Sequence, residues 1–138
     1  MKTYDPSQVV ATVGGRSLAG FAPGTFIEAE RTEDAYSMTV GIDGEGTRSK
    51  SNNKSGQVRF TLLSSSDSND ILSGFAAADE LNNGGLVPVL IKDLSGRALI
   101  ASEQAYVKKL PVLGFDNEVR EVEWVLETDN LQLFLGGN

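Results

Sequence analysis

Short runs of alternating apolar and polar residues, separated by glycines, follow one another along most of the chain. Alternation with a period of two places successive side chains on opposite faces of a strand, so it predicts half-buried β-strands. Gly14-Gly15 separates two such runs and predicts a hairpin turn, because glycine tolerates the positive φ that these turns require. The pattern predicts antiparallel strands at residues 7–13, 16–21, 25–31, 36–42, 57–63, 86–92, 98–103, 117–128 and 131–135.

The alternation also assigns side chains to faces of the predicted strands. In the clearest case, the apolar positions expected to face the core are Val122, Trp124 and Leu126. The acidic positions on the opposite face of that strand are Glu121, Glu123 and Glu127. A second acidic strand face carries Glu28 and Glu30. Two further strands are expected to pack through Met38, Val40 and Ile42, and through Val58, Phe60 and Leu62.

One segment, residues 68–82, has helical spacing instead. The apolar positions that recur with this spacing are Ile71, Leu72, Phe75, Ala78 and Leu81. Ser66, Asp67 and Ser68 are candidate N-caps, and Asn82-Asn83-Gly84-Gly85 predicts the end of the helix. We therefore expect one α-helix packed on the strands.

Residues 44–56 contain no apolar side chain and form the longest predicted irregular segment. Such a segment cannot bury itself, so we expect it to project as a long loop between two strands. Its bases are Arg48, Lys50 and Lys54, against the single acid Glu45. The loop is therefore locally basic.

The composition suits one folded domain spanning residues 1–138, with 40% hydrophobic residues. The fold class expected is an antiparallel β-barrel or sandwich with one flanking helix. The chain has no cysteine and no histidine. This excludes disulfides, thiolate nucleophiles, Ser-His-Asp triads and Cys/His zinc sites.

The charge balance restricts the classes of partner that we expect the protein to bind. Nineteen acidic residues against twelve basic ones give a net charge of −7, which disfavours a nucleic-acid grip or an anionic membrane surface. The N-terminal residues lack the apolar core of a signal peptide, and no run reaches the length of a membrane span. We therefore expect a soluble protein made without an export signal of its own.

Three motifs suggest chemistry, and each has a simpler interpretation. The glycine-rich residues 41–46 follow a strand rather than preceding a helix, so a turn is favoured over a phosphate loop, and Asp43 with Glu45 supplies too few ligands for Ca²⁺. The glutamates of residues 121–127 could form a glycosidase pair, but a solvated strand face is favoured. Asn53-Lys54-Ser55 matches a glycosylation sequon, which chance explains in a polar loop.

The order of short motifs resembles the tail tube proteins of contractile-tailed bacteriophages. Motifs that carry the resemblance are Tyr4-Asp5-Pro6-Ser7, Gly20-Phe21-Ala22, Gly24-Thr25-Phe26, Arg31-x-x-Asp34, Val40-Gly41-x-Asp43-Gly44-Glu45, Thr47-Arg48, Ser68-Asn69-Asp70, Ile91-Lys92-Asp93, Glu123-Trp124-Val125-Leu126-Glu127 and Phe134-x-Gly136-Gly137. They span nearly the whole chain in order.

This resemblance implies a virion structural protein that is not an enzyme and has no cofactor. It implies hexameric rings stacked into a tube, within a sheath and around a tape-measure protein, assembled in the host bacterial cytoplasm. Viral DNA would pass through without specific binding, and no membrane would be a partner. The loop at 44–56 would reach the neighbouring ring through Glu45, Arg48, Lys50 and Lys54.

If the chain forms such a tube, the strands flanking the long loop are the candidates to line its bore. The polar side chains proposed for the bore are Glu28, Glu30, Ser37, Thr39, Asp43, Gln57, Arg59 and Thr61. Arg59 would attract DNA, so we expect Glu28, Glu30 or Asp43 to neutralise it. The face with Glu121, Glu123 and Glu127 is the alternative lining.

Three other functions stay open on the sequence alone. The tube of a phage-tail-like bacteriocin or of a secretion system would need the same features without carrying a genome. A monomeric β-barrel that binds a small ligand would show an apolar interior cavity. A carboxylate-based hydrolase would lose activity on Glu123→Gln.

Overall fold

The computed structural model describes residues 1–137, which form ten β-strands and one α-helix. The elements in chain order are β1 (Val9–Val13), β2 (Arg16–Ser17), β3 (Ile27–Arg31), β4 (Tyr36–Val40), β5 (Gly46–Lys50), β6 (Gly56–Leu63), α1 (Ser68–Asn82), β7 (Val87–Asp93), β8 (Leu99–Lys109), β9 (Glu121–Thr128) and β10 (Gln132–Phe134). Within residues 1–137, no helix is long and apolar enough to cross a membrane.

Eight strands form one antiparallel sheet, in the order β2-β1-β7-β8-β9-β6-β3, with β10 paired to β8. The expected fold class, mainly antiparallel β with one helix, is confirmed. Across residues 1–137, however, the strands follow an open path and do not close into a barrel. The sheet ends on β3, whose only strand partner in that range is β6.

The core lies between the curled sheet and α1, and the predicted inward faces of β6 and β9 are both confirmed. Phe60 pairs in register with Trp124, and both side chains are buried. Leu72 of α1 is also fully buried in this cluster, and Phe75 packs against it. The indole Nε1 of Trp124 donates to Oδ1 of Asn69 at 2.9 Å, so a partly buried hydrogen bond joins the helix to the central strands.

The helix has the predicted bounds, although its caps and its apolar face differ in detail. Asp67 makes no side-chain capping bond, whereas the Ser66 hydroxyl accepts from the Ser68 amide at 3.2 Å. At the other end Asn83 adopts a left-handed φ of 57°, the conformation that asparagine tolerates best after glycine. Leu81, expected on the packed face, is 85% exposed, because the buried stripe ends at Ala76.

Some strand ends differ from the sequence prediction because of local turns. Residues Pro6–Gln8 form a 3-10 turn capped by the Asp5 carboxylate, which delays β1 to Val9. The returning strand predicted at residues 16–21 contains only the two residues of β2. Gly14 and Gly15 form the expected turn, with φ values of 60° and 80°.

The largest correction concerns residues 36–50. Strands β4 and β5 form a separate two-stranded hairpin, so the segment 44–56 is not irregular throughout. A polar run can form a strand here because β4 supplies backbone partners. The predicted packed face of Met38, Val40 and Ile42 is wrong for the single subunit: Met38 is 72% exposed and Ile42 is fully exposed.

Candidate functional site: an acidic sheet face and a projecting hairpin

The outer side of β3, β6 and β9 carries most of the predicted polar candidates. Because these strands are adjacent and antiparallel, register partners point to the same side of the sheet. The register pairs Glu28 with Arg59, Glu30 with Gln57, Thr61 with Glu123 and Gln57 with Glu127. We call this surface the acidic face; its members are Glu28, Glu30, Gln57, Arg59, Thr61, Glu121, Glu123 and Glu127.

The two glutamate-rich strand faces that the sequence suggested as alternatives are therefore one surface. Strand β6 lies between β3 and β9 and joins them. The acidic face contains five carboxylates and one guanidinium, which leaves a formal charge of −4. At one end it forms a cleft of about 290 Å³, in which Phe26 and Pro23 meet Glu121 and Glu123.

The single cation on this surface is bound by two acids, as expected. Nη1 of Arg59 lies 3.1 Å from Oε2 of Glu28, and Nη2 lies 3.0 Å from Oε1 of Glu30. The hydrogen bonds to Glu30 and then to Glu28 raise the pKa of Arg59 above its ordinary value. These pairs are exposed to solvent and add little stability. Their effect is to hide the positive charge between carboxylates.

The acidic face meets β8 through one further contact. The phenol of Tyr106 donates to Oε2 of Glu127 at 3.0 Å. Burial, and then this hydrogen bond, raise the pKa of Tyr106 above its ordinary value. The phenol therefore stays protonated at neutral pH and holds the Glu127 carboxylate against the sheet. Among residues 1–137, no three acidic side chains are grouped closely enough to hold a metal ion.

The hairpin holds the remaining candidates. Ser37 and Thr39 lie on β4, and Asp43 lies in its turn, where its carboxylate accepts from the Glu45 amide at 3.2 Å. Their place is thus the hairpin rather than the acidic face, and Asp43 is not the partner of Arg59. All ten residues of β4 and β5 are exposed.

The hairpin has two different sides. Register pairs Tyr36 with Lys50 and Met38 with Arg48, so apolar and basic side chains share one side. The Arg48 guanidinium lies 4.3 Å from the centre of the Tyr36 ring, a cation–π distance. The other side carries only hydroxyl residues: Ser37, Thr39, Thr47 and Ser49. Lys54 lies outside the hairpin, where its backbone carbonyl accepts from the Leu131 amide.

Comparison with known proteins identifies the class to which these features belong. Residues 1–136 match the family described as bacteriophage PhiTE tail tube protein. The chain belongs to this family. It is accordingly a structural protein of a phage tail, and not an enzyme.

A relative agrees with this membership, and two solved structures share the fold. The chain is 32% identical over 144 residues to "Structural protein ORF10" of Pseudomonas phage KPP10, covering 99% of this chain and 83% of the relative. It also resembles the sheath/tube terminator of the extracellular contractile injection system PVC, at TM-score 0.64, 12% identity and coverage of 98% and 99% of the two chains. A chain of the PVC sheath-tube complex matches at TM-score 0.62 and 12% identity, covering 96% and 91%. At these identities the structural likeness shows the fold alone.

One surface of this tail tube family member was missed by the sequence analysis. The connection between β8 and β9, residues 110–120, exposes several large apolar side chains. We call it the apolar loop; the exposed members are Leu110, Val112, Leu113, Phe115 and Val119. The signal was present as an apolar run without alternation, broken by Pro111 and Gly114. Such a run fits neither a strand nor a helix, and in the structure it forms an exposed apolar patch.

Proposed function

We propose that this chain assembles into hexameric rings that stack into the hollow tube of a contractile phage tail, with the acidic face lining the bore. The observation that carries the proposal is the charge arrangement of that face. Five glutamates surround one arginine, and two of them bind it. DNA phosphates would meet like charge on these three strands, where the one cation is already paired with carboxylates, so the genome would slide rather than stick.

The edge of the sheet supports a ring. Strand β3 ends the sheet, and its outer edge has no strand partner within residues 1–137. Exposed strand edges favour pairing with another chain. In a closed ring the edge of each copy would be covered by the next copy, and the acidic faces of six copies would form one continuous lining.

The hairpin supports stacking of the rings. A two-stranded hairpin is only marginally stable alone in water, and this one leaves Tyr36, Met38 and Val40 uncovered. Contact with a neighbouring ring would cover them. The sequence predicted four residues for the contact between rings. Three of them, Glu45, Arg48 and Lys50, belong to the hairpin, whereas Lys54 lies at its base.

The remaining partners follow from this assembly. The outer surface of the tube would contact a sheath, a partner suggested by the likeness to a chain of the PVC sheath-tube complex. The bore would hold the tape-measure protein before ejection and viral DNA during it, without specific binding. Assembly would take place in the cytoplasm of the host bacterium.

The direct test is negative-stain electron microscopy of the purified, concentrated protein, with light scattering across a dilution series. We expect rings or hollow rods whose cross-section shows six copies. The proposal would be contradicted by a uniform monomer at every concentration, if the protein also stayed monomeric when assembly is initiated with the other tail components.

A further inference from the structure

Two uncovered apolar surfaces lie at opposite ends of the same strands. The hairpin leaves the sheet after Arg31 and returns at Gly56, whose register partner on β9 is Thr128. The apolar loop ends at the other extreme of β9, where Glu121 pairs with Leu63. Strand β6 between these two points has eight residues, which corresponds to roughly 26 Å.

Hydrogen bonds donated by backbone amides anchor each surface to its own end of the sheet. At the hairpin end, the Thr32 amide donates to the Ser55 carbonyl at 2.9 Å, and the Ser51 amide donates to the Ala35 carbonyl at 2.8 Å. At the other end, the Ser64 amide donates to the Arg120 carbonyl at 2.7 Å, and the Arg120 amide donates to Oγ of Ser64 at 3.1 Å. The bases of the two surfaces are therefore held at opposite ends of the sheet.

The chemistry of the two surfaces is complementary. The hairpin presents Tyr36, Met38 and Val40 beside the cations Arg48 and Lys50. The apolar loop presents its five apolar side chains beside the exposed acids Asp116 and Glu118 and the exposed base Arg120. Contact between them would remove apolar surface from water, which favours association. It would also let Arg48 and Lys50 of the hairpin pair with Asp116 and Glu118 of the loop.

We propose that the apolar loop of one copy is the receiving surface for the hairpin of a second copy in the next ring. This inference rests on the proposed function and adds the location of the contact. The contact is head-to-tail, because the hairpin lies at one end of the subunit and the apolar loop at the other. Each further copy is then added by a translation along the strand axis. Such a heterologous contact does not close on itself along that axis, so it produces an open stack.

The chain allows a clean cross-linking test because it contains no cysteine. Tubes are co-assembled from one population carrying Ile42→Cys and another carrying Phe115→Cys, and are treated with a short bismaleimide. The matched control replaces Phe115→Cys by Leu135→Cys, since Leu135 is 91% exposed and Phe115 is 90% exposed. Leu135 follows β10, which pairs with the start of β8, beyond the hairpin end of β9.

We expect a cross-linked dimer from the 42–115 pair, in at least roughly tenfold excess over the 42–135 pair, because cysteine pairs react only at short distance. In assembled tubes the cysteine at position 115 should also resist maleimide labelling. If tubes form but position 115 labels as fast as in the free subunit, the loop faces another protein such as the sheath, and the inference is wrong. If the wild-type chain forms no tubes, the proposed function itself fails.

A second measurement does not depend on cross-linking. Met38→Ser and Phe115→Ser should each raise the protein concentration needed for tube formation roughly tenfold, since each removes one buried apolar side chain from the contact. Leu135→Ser should leave that concentration unchanged. Circular dichroism should show that all three variants stay folded, because all three side chains are exposed in the subunit. Equal effects from Phe115→Ser and Leu135→Ser would overturn the inference.

Discussion

Strands β6 and β4 carry the same alternation of apolar and polar residues, but the apolar side chains are buried in β6 and exposed in β4. In β6, Val58, Phe60 and Leu62 are buried because β3 and β9 flank the strand and the apolar core, to which α1 contributes Leu72, covers it. In β4, Met38 and Val40 are exposed because, among residues 1–137, only β5 pairs with the strand and no other element covers its apolar side. Alternation therefore identifies a strand face that other residues must cover. It does not show whether those residues belong to the same chain.

The first and largest expected difference between the two regions is in the stability of the subunit. Trp124→Ala should lower the free energy of unfolding by about 3–5 kcal/mol, because Trp124 is 2% exposed and its loss leaves a cavity. Met38→Ala, as the control in the hairpin, should change it by less than about 0.5 kcal/mol. Urea denaturation of the monomeric subunit measures both. Similar losses from the two variants would show that the hairpin is packed in the free subunit.

The second prediction concerns the polar contact that links the helix to the central strands. Asn69 accepts from the Trp124 indole and donates to the Leu63 and Ser66 carbonyls. Asn69→Ala leaves the buried indole N–H unpaired, which should cost about 1–3 kcal/mol in urea denaturation. Asn117→Ala, at an exposed loop position, is the control and should be nearly neutral. A neutral Asn69→Ala would mean that water replaces the lost contact.

The third prediction removes the hairpin. Replacing residues 37–49 by a short Gly-Ser turn should change the free energy of unfolding by about 1 kcal/mol or less, because closure entropy depends weakly on loop length. Tube formation, followed by electron microscopy, should be lost. As a control, exchanging Leu94-Ser95-Gly96 for Gly-Ser-Gly should keep the tubes. Normal tubes from the shortened chain would exclude the hairpin as the stacking element.

The smallest expected effect on stability comes from a charge change on the acidic face. Glu123→Lys should alter the free energy of unfolding by less than about 0.5 kcal/mol, since the side chain is exposed. It should nevertheless slow DNA ejection from phage particles built with the variant, because each ring would then offer cations to phosphates. As a control, Glu80→Lys makes the same charge change on α1, outside the acidic face. Equal ejection rates for both variants would argue against the acidic face as the lining.

Much of the fold could be predicted from the sequence, because local signals decide it. The helix begins and ends where its spacing and its Asn82-Asn83-Gly84-Gly85 stop indicate. The inward faces of β6 and β9 follow from alternation. Strand order, by contrast, depends on contacts between distant residues. For that reason the residues alone could not show that Glu28 on β3 and Glu123 on β9 lie on one surface, joined by β6.

The candidate site was predicted in part, and the failures have one physical cause. The pairing of Arg59 with acids follows from charge and strand position, and it is observed. Ser37, Thr39 and Asp43 were grouped with it because their strand was expected to join the main sheet. A strand that pairs only with its neighbour in a hairpin has the same sequence pattern, so the pattern alone cannot separate the two cases.

The way in which the hairpin is attached determines how the subunit would bear mechanical load in a stack. Its two arms continue into β3 and β6, so tension on the hairpin would be applied along the axis of these strands. The load would then act in shear on the ladder between β6 and β9, which has eight register pairs. Hydrogen bonds perpendicular to the strands share a shear load, whereas peeling breaks them one after another. A pull on the hairpin would thus act on the sheet in the direction in which its hydrogen bonds resist together.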